Sequence, residues 1–169
     1  PPTPALVSEM LGTTNLSSSH IIGREPVKGR EISVEKVAIN TVMAGCHPKF
    51  FPVVIAAVKA LVQPEFNLHA ITASTMGSAV LSVVSGPIAR DIGINGEISV
   101  FGPGHRANAT IGRAIRLIII NATGSKSGEI DKATLGHAGK YTWCITENEA
   151  ANKWDPIGMD RGVNSDDSS

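Results

Sequence analysis

Apolar positions first fall into a regular pattern at Val34. Val34, Val37, Ala38, Val42 and Met43 keep helical spacing, and Gly45 breaks it. The spacing predicts a helix over 34–43. A second helix is predicted over 52–62, with Pro52 in its first turn and Pro64 beyond its end. That stretch, PVVIAAVKALV, is apolar almost all round, so it calls for burial on more than one side, within the fold or in a subunit contact. Residues 68–73 and 79–84 read as short strands, the second rich in β-branched residues and expected to be covered on both faces. A hydroxyl-rich loop over 72–78, with Ser74 near its start, joins them. Pro87 opens and Gly93 closes a short helix over 87–92. Residues 98–101 read as a third strand. Ile111, Ala114, Ile115 and Ile118 then mark a long helix ending near Asn121, which leaves Arg113 and Arg116 on another face. Residues 122–140 are Gly-rich and polar, and 141–146 reads as a last strand.

Helices alternating with short buried strands predict an α/β or α+β fold. The expected architecture is one compact domain with an apolar central helix and a glycine-rich strand-to-helix turn. Its globular part spans 34–156. Residues 1–33 are polar, Pro-containing and without periodicity, and read as an irregular arm that packs on something else. Residues 157–169 read as a polar tail, linker-like from 164 onward.

The length of 169 residues suits one domain, and a hydrophobic content of 42% is enough to build a core. Only 4% of the residues are aromatic, so that core must be aliphatic. Fifteen Lys+Arg balance fifteen Asp+Glu, which removes the basic excess that nucleic-acid and membrane-surface proteins carry. No apolar run reaches the ~18 residues of a membrane span, and no signal-peptide pattern opens the chain. Two cysteines make neither a disulfide framework nor a four-thiolate zinc site. A reduced, cytoplasmic setting is the expectation.

Three segments carry chemistry. In the first, Ala44-Gly45-Cys46-His47-Pro48, a thiol follows a glycine-opened break just ahead of a helix. A helix N-terminus lowers a thiol pKa, so Cys46 is expected to be an acidic, reactive thiol with His47 as a support. In the second, Gly102-Pro103-Gly104-His105-Arg106-Ala107-Asn108, a glycine-rich turn opens a long helix. Its backbone N–H groups would face a ligand, with Gly102, Gly104 and Asn108 shaping the site and Arg106 taking a carboxylate or phosphate. His105 adds a proton carrier, and Ser74 a further hydroxyl from the loop upstream. The spacing matches neither a P-loop nor a dinucleotide fingerprint. In the third, Tyr141 to Glu149, a strand carries Cys144 and ends in Glu147 and Glu149, of which Glu147 is the candidate general base. Cys144 could face Cys46 across a cleft, as in two-thiol racemases, or simply pack. The five histidines show no paired ligand spacing, so a metal is neither required nor assigned. Pro1 is read as an ordinary terminus rather than a catalytic amine.

Taken together, the segments VMAGCHPKFFPVVIAAVKAL, GPIARDIGIN, FGPGHRANATIGRAIRL and KYTWCITENEA resemble an uncharacterised bacterial enzyme-like family associated with UGSC-type thiol or selenol proteins. The resemblance covers about residues 34–156. It implies that Cys46, the turn over 102–108 and the acids at 147–149 belong to one site, and that the chain works as one subunit of a larger assembly, homo-oligomeric or with a different chain.

The expected function is that of a cysteine-dependent hydrolase or lyase acting on a small anionic organic substrate. Thiol redox through Cys46, with or without Cys144, is the second expectation. A non-catalytic structural or ligand-binding subunit is the third.

Overall fold

The computed structural model describes residues 1–164, 167 and 168. Ser165, Asp166 and Ser169, part of the predicted linker-like end, lie outside the described residues.

Two helices form the spine. α2 (Val34–Ala44) starts on Ser33, whose hydroxyl accepts from Lys36 N, and ends on Gly45 at φ 85°, a left-handed conformation that glycine adopts without a Cβ penalty. α6 (Arg106–Asn121) buries a stripe of Ala107, Ile111, Ala114, Ile115, Ile118 and Ile119. α2 packs along this stripe, and Asn121 donates to Asn40 across the seam at 2.6 Å. α3 (Phe51–Leu61) closes the core from a third side with Phe51, Val54 and Val58 fully buried. Its apolar residues do not all find cover. Pro52, Ala56 and Ala60 stay exposed along a groove of about 530 Å³ against Val80, Leu81 and Val83.

The strands are few and short, and the fold is a single compact α+β unit. β1 (Ile21–Arg24) and β2 (Glu31–Ser33) form an antiparallel hairpin. β3 (Ser82–Val84) pairs in parallel with β4 (Cys144–Thr146), in register Ser82 to Cys144 and Val84 to Thr146. Gly112 on α6 lets β4 come close, because a Cβ there would collide with the backbone of Trp143 and the side chain of Thr142.

Three sequence expectations are corrected. Residues 68–73 form a helix, α4 (Leu68–Thr72), because Leu68 and Thr72 share a buried face at helical spacing and Thr72 Oγ1 donates back to Leu68 O. Residues 98–101 form a turn instead of a strand. The Asn95 side chain binds Glu97 N and Ile98 O, Ser99 sits at φ 60°, and Ile98 is 93% exposed. The strand expected over 79–84 shrinks to β3 and is not covered on both faces, since Leu81 is exposed.

The N-terminal stretch is also more ordered than its polarity suggested. Thr3 caps α1 (Pro4–Leu11), whose Met10 is buried in the core, and the hairpin adds Ile32. The short helices α5 (Pro87–Asp91) and α7 (Ile157–Asp160) complete the element order. Among the described residues, no single helix is long and apolar enough to cross a membrane.

Candidate functional site

The C-terminus of α2 and the N-terminus of α6 meet at Gly45. Arg106, the first residue of α6, donates to the Gly45 carbonyl through both Nε (3.2 Å) and Nη2 (2.9 Å). The expected anion-binding arginine therefore clamps the segment that carries Cys46, with two of its donors already committed. Cys46 is buried against this junction. Burial pushes its thiol up to about 11, while the Thr110 hydroxyl and the Arg106 charge pull the other way. The acidic thiol expected from helix placement is corrected on this point. The segment after Cys46 is a 3-10 turn over Pro48–Phe50 leading into α3, and the fold withdraws the sulfur from water, which costs the thiolate more than the Thr110 hydroxyl and the Arg106 charge return.

Cys144 is the second buried thiol, on β4. Burial drives its pKa up to about 12, and the neighbouring Cys46 adds to the rise. The two buried thiols thus lie within electrostatic reach of each other, although they are far apart in the chain. Both are free cysteines.

A surface groove of about 610 Å³ reaches Cys144. Gly102, Asn108, His137 and Trp143 also line it. Asn108 is buried and fully committed. Its Oδ1 accepts from Asn95 N at 2.8 Å and its Nδ2 donates to Asn95 O at 2.9 Å, which ties the 95–104 loop to α6. Gly102 closes that loop by donating to Ser99 O, and a Cβ there would collide with the Ser99 hydroxyl. Gly104 holds φ 116°. α6 begins without a side-chain cap and without an acid in its first turn, and His105 at the cap position is exposed.

The remaining expected residues lie elsewhere. His47 is exposed and its Nδ1 accepts from Lys49 N, so its ring is committed to the next turn. Glu147 accepts from Ile157 N at 2.8 Å and ties the following loop in place, a clamp rather than a poised base. Glu149 accepts from Gly86 N. Ser74 accepts from Met76 N, and its carbonyl accepts from Lys132 N, so it belongs with the 131–134 segment and not with the α6 N-terminus.

Two contributors were not foreseen. Trp143 stacks on His137 with ring centroids 4.8 Å apart and tilts against Phe101 at 5.8 Å, giving the groove an aromatic wall. A tryptophan next to Cys144 in so aromatic-poor a chain was the available signal. Thr110, one helical turn after Arg106, was the other.

No family model, curated protein or solved structure matches this chain. Among the described residues, no group of three or more His, Cys, Asp or Glu side chains is placed to hold a metal.

Proposed function

We propose that the protein is a thiol-dependent enzyme of hydrolase or lyase type, acting on a small organic anion, with Cys46 as its reactive thiol. The observation that carries this reading is a pair of buried thiols close to the uncapped start of α6, one of which, Cys144, lines a groove with an aromatic wall, with Cys46 behind it. The first N–H groups of α6 attract the substrate's negative group. Trp143 and His137 hold its body, and Arg106 positions Cys46 through Gly45. The resting thiol is protonated near neutral pH, so its proton leaves during the reaction, to water or to the substrate's leaving group, as the sulfur bonds to the substrate. The resemblance of the Cys46, 102–108 and 141–149 segments to an uncharacterised bacterial enzyme-like family implies that they belong to one site, in keeping with this reading.

Alkylation by iodoacetamide, followed for each cysteine across pH, tests it. The rate at Cys46 follows its thiolate fraction and rises through about pH 11 in the native protein. Arg106→Gln removes a charge that favours the thiolate and moves the midpoint higher still. A Cys46 that stays unreactive in the folded protein at every pH is a packing residue, and the proposal fails.

The electrostatic coupling of the two buried thiols favours one further reading, thiol redox. Peroxide would take two electrons and two protons from Cys46 and Cys144, forming the S–S bond and releasing water. A mass loss of about 2 Da with both cysteines protected from alkylation selects this reading over the first.

A further inference from the structure

A second groove, of about 660 Å³, lies between the outer face of α6 and the strap over 127–141. Its size falls within the range that holds a small organic ligand, about 300–1,000 Å³. Its floor carries two cations already satisfied: Arg116 and Lys140 both bind the buried Asp131 carboxylate, at 2.9 and 2.7 Å. Among the described residues, Asp131 is the only acid in the lining. The third cation, Arg113, is exposed and has no acid partner among the described residues. Three cations thus face one carboxylate, which leaves the groove a positive surplus, and Arg113 is its exposed and unpaired member among the described residues.

The rest of the wall is apolar. Leu117 and Ile120 follow Arg113 at helical spacing on the same side of α6 and are half-buried. Leu135 and Tyr141 stand opposite, 99% and 74% exposed. Two large side chains held open to water beside an unpaired arginine make a surface that gains from being covered by a molecule with an apolar body and one negative end.

We infer that this groove is a binding site for an amphipathic organic monoanion, adjoining the thiol-site groove, with which it shares His137 and Ala138, with Arg113 receiving the anionic group and Leu117, Ile120 and Leu135 its body. The inference does not depend on the chemistry at Cys46.

Two fluorescent probes test it in the full chain. 1-Anilinonaphthalene-8-sulfonate has an apolar body with one negative charge, and N-phenyl-1-naphthylamine is nearly the same body without it. The sulfonate is expected to bind saturably and more tightly than the neutral probe. Arg113→Gln weakens the sulfonate about tenfold and leaves the neutral probe unchanged. Leu135→Ser weakens both, and Cys46→Ser affects neither. A matching melting curve for each variant excludes unfolding as the cause. Equal affinity for the two probes, or sulfonate binding indifferent to Arg113→Gln, overturns the assignment.

Discussion

If the proposed thiol chemistry holds, Cys46→Ser is expected to abolish turnover of small activated organic acids while the protein stays folded. Serine is close to cysteine in size, and the Thr110 hydroxyl beside residue 46 offers its buried hydroxyl a partner, so the variant should stay folded at modest cost. What changes is the nucleophile. A hydroxyl ionises far less readily than even a thiol raised to about 11, and two candidate bases of the sequence are committed elsewhere: His47 faces its own turn and Glu147 holds Ile157 N. The loss should be roughly 10³-fold or more. The measurement is the hydrolysis or elimination rate over a panel of carboxylate-bearing esters, thioesters and β-substituted acids, wild type against variant. Turnover surviving in the serine variant removes Cys46 from the chemistry.

Asp131→Ala is the most damaging change expected for the fold. Asp131 is 4% exposed and receives Lys140 Nζ at both oxygens, Arg116 Nη2, and Ala133 N. The Lys140 and Arg116 side chains are themselves only 11% and 16% exposed. Alanine leaves two shielded cations without an acid, a defect of about 3–5 kcal/mol, or roughly 10 °C in Tm for a chain of this size. The companion variant Asp131→Ala/Lys140→Met removes one stranded charge and should recover part of the loss; no recovery would mean that the ion pairs do not explain the defect. Acid has a related effect. Burial pushes the Asp131 carboxyl up, but the hydrogen bonds and charge of Lys140 and Arg116 outweigh it and hold the group below its usual range. Its contribution is complete above the unfolded carboxyl pKa of about 3.9 and is lost as pH falls through the lower folded value. The network is intact at neutral pH and fails only in strong acid.

The elements legible in the sequence were those whose signals are local. α2, α3, α5 and α6 each carry an apolar stripe or a proline start, and α2 ends on a glycine at its left-handed cap. α4 was read as a strand because five residues are too few to separate a period of 2 from one of 3.6. The turn over 98–101 was misread because its apolar residues face water, held by Asn95 and Asn108 contacts that no spacing announces. At the site, the position of Cys46 and the glycine-rich turn were legible. The role of Arg106 was not, since its acceptor is a backbone carbonyl brought in by the packing of α2 on α6. The Asp131 network lay unread inside a Gly-rich polar stretch, because Arg116 and Lys140 reach it from separate elements.

The most direct test of a reactive thiol beside an anion-receiving helix start is the rate of Cys46 modification by iodoacetate against iodoacetamide, resolved by peptide mass. In both reactions the sulfur forms a bond to the methylene carbon, iodide leaves and the thiol proton is lost. The two reagents differ in the negative charge. The account predicts saturating kinetics with iodoacetate, a Cys46 rate above that with iodoacetamide, and loss of the preference at high salt. A Cys46 that reacts more slowly with iodoacetate, and linearly with its concentration, would contradict the proposed site.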